Sequence, residues 1–284
     1  MKKKLLVLGS TGMLGHQVVN YFLQFSEYEV IDISFRNKLR EETIILDVTN
    51  QTLLCDRLIK VNPDFIINCI GVLIGGANSN LTNAIYINAY FPHQLKDIAK
   101  NIGAKLIHIS TDCVFSGKKG RYIETDERDG TDTYAKTKAL GEVIDNTNVT
   151  LRTSIIGLEL KTNGEGLFHW FMSQDGTING FTRAIWSGVT TIELAKAIKW
   201  AIENEITGLY HVTNNKSINK NDLLNLFKKY IKKNIEIVAV DGKEVNKNFI
   251  DTRKEINYDI PDYDDMIREM VAKIFKNNLY NQYQ

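Results

Sequence analysis

The chain has 284 residues, of which 43% are hydrophobic and 24% charged, and its formal net charge at pH 7 is +1. This length is enough for a full core in two lobes, and the balanced charge argues against a nucleic-acid or membrane partner that is recognised by bulk charge. Three scattered cysteines and five histidines without ligand spacing predict neither a disulfide framework nor a metal site.

Apolar runs alternate with helix-like segments along the first half of the chain. They predict strands near residues 4–8, 28–34, 43–46, 64–70, 104–110 and 149–155. Such alternation is typical of an α/β protein with a doubly wound parallel sheet, the Rossmann arrangement. Residues 1–156 are expected to form the dinucleotide-binding domain and residues 157–284 mainly a smaller substrate-binding lobe. Because no Pro- or Ser-rich linker separates them, we expect that lobe to be interwoven with the sheet.

The first strand runs into a glycine-rich turn, Gly9-x-x-Gly12-x-x-Gly15, and then into a predicted helix over 16–24. Strand, glycine turn and helix form the context that a dinucleotide-binding fingerprint requires. Gly9 permits the tight turn, Gly12 allows backbone N–H groups to approach a pyrophosphate, and Gly15 allows close helix packing. The spacing is one residue longer than the usual G-x-G-x-x-G. A glycine turn without a ligand is the structural alternative.

The strand near 104–110 ends in three small polar residues, Ser110, Thr111 and Asp112. In an open parallel sheet, ligands bind outside the carboxyl ends of the strands. A hydroxyl at this position could therefore hydrogen-bond a substrate oxygen. The structural alternative is a turn whose Ser and Thr side chains cap backbone groups.

Tyr134 and Lys138 are four residues apart, so they share one face of a predicted helix. A phenol titrates near 10, and a neighbouring ammonium favours the phenolate and is expected to lower that pKa. The pair is then suited to move protons at neutral pH. An isolated Y-x-x-x-K occurs often on surface helices, so the argument depends on the other motifs.

Later segments complete the predicted lobe. The apolar cluster Leu167–Met172 is predicted to contribute to the core and to line the pocket, and amphipathic helices are predicted over 190–204 and 219–233, the second with an Asn cap. The polar tail from Asn277 is expected to fray.

Together these motifs resemble the extended short-chain dehydrogenase/reductase superfamily, and within it the dTDP-4-dehydrorhamnose reductase-like group of sugar-nucleotide enzymes. The resemblance covers most of residues 4–213. Besides the glycine turn and Tyr134-x-x-x-Lys138, it rests on Leu46-Asp-Val48, Asn68-Cys-Ile-Gly71, Ile87-Asn-Ala89, Ser110–Gly117, Gly141-Glu142, Leu151-Arg-Thr153, Trp186–Thr191, Glu193-Leu-Ala195 and Gly208–His211.

The resemblance implies a catalytic triad of Thr111, Tyr134 and Lys138. Tyr134 would give a proton to a keto oxygen, Thr111 would orient the carbonyl, and Lys138 would hold the nicotinamide ribose and lower the tyrosine pKa. Asn88 would support the lysine through a bound water. The implied cofactor-binding residues are Gly9, Thr11, Gly12, Met13, Leu14, Gly15, Arg36, Asp47, Val48, Cys69, Ile70, Gly71, Asn88, Tyr134 and Lys138.

The implied substrate-binding residues are Val72, Asp112, Cys113, Ile155, Arg183 and Trp186. Arg183 and Trp186 are expected on a surface loop, where they would hold the nucleotide diphosphate and ring. The family usually has tyrosine where this chain has Cys113, aspartate where it has Ser116 and an aromatic residue where it has Ile155. The sugar can therefore differ from 4-keto-rhamnose. Related dehydratases carry glutamate at the position of Cys113, which argues against dehydration here.

The end of the second strand bears on the choice of cofactor. An acidic residue there would bind the adenosine ribose, whereas a basic residue would hold a 2′-phosphate. Asp32 lies inside the apolar run and Arg36 at its polar exit, which favours NADPH, with NADH as the alternative. Asp47 would meet the adenine, as the corresponding residue of the family does.

The expected function is reduction of a nucleotide-linked 4-keto-6-deoxy sugar by NAD(P)H, in the synthesis of surface polysaccharide. The alternatives are an epimerase with retained NAD and a non-catalytic NADP-binding regulatory subunit of the same fold. The expected partner is the nucleotide sugar, and a homodimer is one open alternative for the assembly. No stretch approaches the roughly 20 apolar residues of a membrane span, so the cytoplasm is the expected location.

Overall fold

The computed structural model describes residues 1–253, 258–276 and 278–284. Within these ranges the sheet at the centre of the molecule has seven strands, all parallel. The strands of the chain, in order, are β1 (Lys3–Leu8), β2 (Tyr28–Ser34), β3 (Ile44–Ile45), β4 (Phe65–Asn68), β5 (Lys105–Thr111), β6 (Val149–Thr153), β7 (Ile155–Ile156), β8 (Thr177–Phe181), β9 (Ala184–Trp186), β10 (Val189–Thr190), β11 (Gly208–His211), β12 (Ile218–Asn219), β13 (Glu236–Val240) and β14 (Val245–Asn246).

Helices connect most of these strands. They are α1 (Gly15–Phe22), α2 (Gln51–Val61), α3 (Ile74–Ser79), α4 (Leu81–Ala84), α5 (Phe91–Ile102), α6 (Thr133–Leu140), α7 (Leu167–Met172), α8 (Thr191–Glu203), α9 (Lys220–Ile231) and α10 (Tyr263–Ile274). A π-helix spans Ile85–Tyr90, and 3₁₀ helices span Asp112–Val114 and Asn278–Tyr283. In the described ranges, no helix is both long enough and apolar enough to cross a membrane.

The central sheet has the strand order β11-β6-β5-β4-β1-β2-β3. The direction of winding reverses between β1 and β4, which is the topological switch point where doubly wound folds bind their ligands. The predicted fold class, an α/β protein with a doubly wound parallel sheet, is confirmed. β11 belongs to the second half of the chain and pairs with β6 at the sheet edge.

Both faces of the sheet are buried. Leu5 and Val7 point into a core with residues of α1 and α8, whereas Leu6 and Leu8 point into a second core with residues of α2 and α5. Because successive side chains of a strand alternate between faces, a strand covered on both sides reads as a continuous apolar run. This explains why the first strand was detectable from sequence.

Several element boundaries differ from the predictions. The predicted strand 149–155 divides into β6 and β7, because β7 leaves the central sheet to pair with β10. The helix predicted over 190–204 begins after Thr190, whose hydroxyl accepts a hydrogen bond from Glu193 N at 3.3 Å. Asn219 caps α9 as predicted, accepting from Asp222 N at 2.8 Å.

Two predictions about the second half need correction. The cluster Leu167–Met172 forms α7 and buries Phe168 and Phe171 in the core, but none of its residues lines the cavity described below. The tail does not fray: although Asn277 lies outside the described residues, the 3₁₀ helix that follows buries Tyr280 and Tyr283. Burial of these two aromatic side chains keeps the tail packed although its other residues are mostly polar. The division of the chain at residue 156 stays a prediction.

Candidate active site

The glycine-rich turn joins β1 to α1 as predicted. Gly9 has a φ of +83°, which favours glycine, and a Cβ at Gly15 would lie 2.1 Å from the Gly9 carbonyl oxygen. Any side chain at position 15 would therefore push α1 away from the strand. The turn requires glycine at these two positions for backbone reasons alone.

The same turn presents unused hydrogen-bond donors. Across the described ranges, the backbone N–H groups of Met13 and Leu14 have no hydrogen-bond partner in the protein. Both residues line a cavity of about 710 Å³, together with Thr11 and Gly12. Free N–H groups at a helix N-terminus form an anion-binding position.

The cavity runs from this turn along the carboxyl ends of β4 and β5 to α6 and α9. Its lining includes thirteen of the residues predicted for catalysis, cofactor or substrate: Thr11, Gly12, Met13, Leu14, Cys69, Ile70, Gly71, Thr111, Asp112, Cys113, Tyr134, Lys138 and Ile155. The polar loop between β7 and α7, which the sequence did not single out, adds Glu159, Leu160, Lys161, Asn163, Glu165 and Gly166.

The predicted triad comes together at one end of this cavity. α6 begins at an Asp132 cap, which accepts a hydrogen bond from Ala135 N at 2.8 Å, and it carries Tyr134 and Lys138 on the cavity side. Lys138 is buried, and its Nζ donates to the Ile109 carbonyl at 2.8 Å. The Thr111 hydroxyl donates to the Asp112 carboxylate at 3.1 Å.

The predicted lowering of the Tyr134 pKa by Lys138 is wrong for this structure. Burial raises the pKa of Tyr134 above its usual value, and a hydrogen bond with Thr111 offsets only part of that rise. Burial also lowers the pKa of Lys138 to about 8, although the negative charge of Glu142 acts to raise that pKa. The phenol is therefore protonated at neutral pH, so Tyr134 has a proton that it could donate.

Asn88 lies in the π-helix and does not line the cavity. Its carboxamide accepts from Val72 N at 2.8 Å and donates to Val72 O at 2.9 Å and to the Thr137 hydroxyl at 3.3 Å. It thus ties the segment after β4 to α6, and the predicted water-mediated link to Lys138 stays a prediction. Val72 is held by these bonds, and Leu73 and Ile74 line the cavity in its place.

Glu142 lies behind the triad at the centre of a buried polar network. Its carboxylate accepts from Ser110 Oγ at 2.6 Å, from Arg152 Nε at 2.8 Å and from Arg152 Nη2 at 2.7 Å. Arg128 adds a contact at 3.2 Å, and Arg152 Nη1 lies 2.8 Å from His211 Nε2. The sequence marked Glu142 and Arg152 as parts of the resemblance but gave them no role.

Lys220 is a site residue that sequence reasoning missed. It is the first residue of α9, lines the cavity, and places its Nζ 5.6 Å from the centre of the Trp186 ring. Burial lowers its pKa, whereas Asp112 and Cys113 raise it. A cation in the first turn of a helix opposes the helix dipole. A lysine directly after the Asn219 cap was therefore the feature of the sequence that could have indicated a role for Lys220.

Two predicted substrate residues lie elsewhere. Arg183 is exposed and pairs with Glu244 at 2.6 Å. Trp186 is not on a surface loop: it lies in β9, is buried, and donates from Nε1 to Ser154 Oγ at 2.7 Å. Neither residue lines the cavity. The indole fits the core better than the solvent because its N–H finds a buried partner.

The residues predicted to contact the adenosine end lie outside the cavity as well. Arg36 is exposed and stacks over Phe35 at 4.5 Å, and Asp47 is exposed with its carboxylate bound to Thr49. Val48 is buried in the second core. Asp32 is buried and paired with Arg40 at 2.7 Å, so its charge is compensated within the protein.

Comparisons with known proteins give the family. Among curated proteins, the dTDP-4-dehydrorhamnose reductase of Aggregatibacter actinomycetemcomitans is 29% identical over 157 residues, 53% of this chain and 51% of that protein. The spore coat polysaccharide biosynthesis protein SpsK of Bacillus subtilis is 30% identical over 141 residues, 49% of this chain and 47% of that protein. The chain thus spans about half the length of these relatives.

Among solved structures, the dTDP-4-dehydrorhamnose reductase of Bacillus anthracis in complex with NADP has a TM-score of 0.82 at 23% identity, covering 96% of this chain and 100% of that one. The UDP-N-acetylglucosamine 4-epimerase of Methanobrevibacter ruminantium has a TM-score of 0.78 at 18% identity, covering 97% and 99%. The sequence model of the RmlD substrate binding domain matches residues 3–249. The chain therefore belongs to the RmlD substrate binding domain family.

Proposed function

We propose that this protein is an NADPH-dependent reductase of a nucleotide-linked 4-keto-6-deoxy sugar, acting in deoxysugar and surface polysaccharide synthesis. The observation that carries the proposal is one cavity with a proton donor, Tyr134, at one end and the free N–H groups of the glycine-rich turn at the other. Family membership and the dTDP-4-dehydrorhamnose reductases among its relatives support the same substrate class.

The residues of the turn fit a dinucleotide. Met13 and Leu14 would bind the pyrophosphate through their N–H groups, and Cys69, Ile70 and Gly71 would border the cofactor along the end of β4. A bound dihydronicotinamide supplies the two electrons that reduce a carbonyl carbon. The NADP found with the Bacillus anthracis reductase supports NADPH, and Arg36 remains the proposed contact for its 2′-phosphate.

Three side chains of the chain would carry the proton chemistry of a short-chain dehydrogenase/reductase. The Thr111 hydroxyl would turn from the Asp112 carboxylate and orient the keto oxygen by a hydrogen bond, and Tyr134 would donate its proton as negative charge develops on that oxygen. The Lys138 ammonium, one helical turn away and fixed by the Ile109 carbonyl, would stabilise the phenolate left behind.

The substrate would lie toward α9 and the loop between β7 and α7. Lys220 and Lys161 line this part of the cavity, so they replace Arg183 as candidates to bind the nucleotide diphosphate. Cys113 and Ile155 line the cavity too and would contact the sugar. Their small or aliphatic side chains leave room that a tyrosine or another aromatic residue would fill.

A homodimer in the cytoplasm is the proposed setting. Leu81, Ile85, Leu140 and Ile144 are large apolar residues exposed on or just after neighbouring helices, a surface suited to a second copy.

The test is NADPH oxidation, followed by absorbance, with dTDP-, UDP-, GDP- and CDP-linked 4-keto-6-deoxy sugars, each generated in place by its own dehydratase. Oxidation with one nucleotide class, lost in Tyr134→Phe and retained in Tyr263→Phe, supports the proposal. Tyr263 is a matched control because its hydroxyl donates to the Lys216 carbonyl at 2.8 Å and neither residue lines the cavity.

Silence across the panel, with NADPH binding shown separately, would contradict the proposal. Tightly held NAD and interconversion of sugars without net NADPH use would favour an epimerase. A stoichiometric protein partner without turnover would favour a regulatory subunit.

A further inference from the structure

The C-terminal tail is packed against the cofactor end of the cavity. The 3₁₀ helix Asn278–Tyr283 lies beside α1, and Tyr280 is only 1% exposed. Its ring makes an edge contact with the His16 ring, with 5.8 Å between the ring centres. His16 is itself fully buried in the first turn of α1. Two residues that are 264 positions apart thus share one buried polar cluster.

The hydrogen bonds of this cluster have one consistent direction. The Gly12 carbonyl can only accept, so His16 Nδ1, 2.8 Å away, carries the proton and donates. Burial lowers the pKa of His16 to about 4, so the ring is neutral and Nε2 is an acceptor. The Tyr280 hydroxyl, 2.9 Å from Nε2, therefore donates to it and accepts from Gln17 Nε2 at 2.6 Å. The chain of bonds runs from Gln17 through Tyr280 and His16 to Gly12, and Gln17 Nε2 also lies 3.2 Å from His16 Nε2.

The planarity of the Gly12–Met13 peptide links these hydrogen bonds to the cavity. A trans peptide is planar, so the carbonyl of Gly12 and the N–H of Met13 point in opposite directions. Holding the carbonyl oxygen against His16 fixes the plane and turns the Met13 N–H away from α1. That N–H has no partner in the described protein, and Met13 lines the cavity.

A second set of contacts from the tail reaches the loop between β7 and α7, which also lines the cavity. The Tyr283 hydroxyl accepts from Glu159 N at 3.2 Å and lies 2.8 Å from His169 Nδ1, and Gln282 donates to the Glu159 carbonyl. Glu159 in turn accepts from Gly166 N at 2.7 Å. Both Glu159 and Gly166 line the cavity.

We propose that the C-terminal tail is a positioning element of the dinucleotide site: Tyr280, acting through His16, fixes the Gly12–Met13 peptide so that its N–H is aimed at the diphosphate of the cofactor. The proposal rests on the proposed function, because it assumes that a dinucleotide occupies this end of the cavity. Tyr280 touches neither cofactor nor substrate in this assignment, and its effect on binding is transmitted through His16.

The test is the dissociation constant of NADP⁺, measured by titration calorimetry on the full chain. Tyr280→Phe keeps the buried ring and removes the hydroxyl that donates to His16 and accepts from Gln17. Loss of the one neutral hydrogen bond to His16 corresponds to a change of about three- to tenfold in an equilibrium constant. We expect the dissociation constant to rise by about that factor, while kcat at saturating cofactor stays within about twofold of the wild type. Tyr263→Phe, which removes a hydroxyl that donates to the Lys216 carbonyl, is the matched control and should bind NADP⁺ normally.

A double-mutant cycle distinguishes positioning from general destabilisation. If Tyr280 acts through His16, Tyr280→Phe should add almost nothing to the loss of affinity in His16→Leu. Additive losses, an unchanged dissociation constant in Tyr280→Phe, or an equal loss in Tyr263→Phe would overturn the inference. A wild type that binds no NADP⁺ would overturn the proposed function and the inference together, whereas wild-type binding with an unaffected Tyr280→Phe would overturn the inference alone.

Discussion

The buried ion pair between Arg152 and Glu142 gives a stability prediction that can be worked out from the contacts. Arg152→Met removes two hydrogen bonds to Glu142, the contact of Arg152 with His211, and the stacking of the guanidinium over Phe115 at 4.9 Å. Methionine retains much of the packing volume. The main effect is therefore that a buried carboxylate loses its principal cation.

The expected loss of stability lies toward the lower end of the range that is usual for breaking a buried ion pair. Removing one partner of a buried pair costs about 3–5 kcal/mol. Here Glu142 keeps the Ser110 hydroxyl at 2.6 Å and the partly exposed Arg128 at 3.2 Å. We therefore expect the free energy of unfolding to fall by about 3 kcal/mol at pH 7, a large part of the 5–15 kcal/mol typical of native proteins.

The pH dependence tests the cause. Burial raises the pKa of Glu142, but the hydrogen bonds and charge of Arg152 outweigh it and hold the pKa below its usual range. In the wild type this contribution to stability is present above the unfolded pKa, near 4.3, and is lost as pH falls through the lower folded pKa. Without Arg152, burial should raise the pKa of Glu142 in the folded state above 4.3. Protonation of Glu142 should then reduce the loss of stability in the variant as pH falls.

Urea unfolding, followed by circular dichroism, measures the difference between wild type and variant at pH 7 and pH 5.5. We expect a smaller difference at pH 5.5, and we expect Arg152→Met/Glu142→Met to be more stable than Arg152→Met alone. An equal loss at both pH values, or a double variant no more stable than the single one, would refute the argument that an unpaired buried charge causes the loss.

Three further predictions concern activity. Tyr134→Phe should lower kcat by about 10²–10⁴-fold, because it removes the proton donor, while the NADP⁺ dissociation constant measured by calorimetry stays nearly unchanged; equal loss of both would mean that the helix was damaged. Because burial lowers the pKa of Lys138 to about 8, its ammonium is present below that pH, so kcat/KM should fall about tenfold per unit as pH rises above it; a flat profile up to pH 10 would contradict this role. Lys220→Met should raise the KM for the nucleotide sugar by about tenfold with little change in kcat. Arg183→Met should change neither constant, since Arg183 pairs with Glu244 on the surface. Steady-state kinetics would show the reverse pattern if the diphosphate binds Arg183.

The parts of the site that sequence predicted are those encoded by short stretches of chain. The glycine turn, the polar end of β5 and the Tyr134–Lys138 pair each depend on neighbours within a few residues. Local spacing fixes such features wherever a parallel sheet forms. The glycine turn, the polar end of β5 and the Tyr134–Lys138 pair could therefore be predicted to lie near one another before the fold was known.

The errors concern residues whose position depends on distant partners. Trp186 looked like a surface residue, but it is buried and its indole N–H donates to Ser154. Lys220 reaches the cavity only because α9 packs beside the cavity. The tail looked polar, yet Tyr280 is buried by contacts with α1. The pKa of Tyr134 was misjudged for the same reason, since burial cannot be read from the spacing to Lys138.

The pairing of β11 with β6 has a consequence for the order of folding during synthesis. The N-terminal half leaves the ribosome with β6 as an edge strand, and its partner follows only when residues 208–211 have been made. An unpaired edge in a parallel sheet invites association with other chains. A fragment that stops at residue 156 should therefore aggregate, and nascent chains should need protection until β11 emerges. The half of the chain that contains the glycine-rich turn is thus encoded first but completed late.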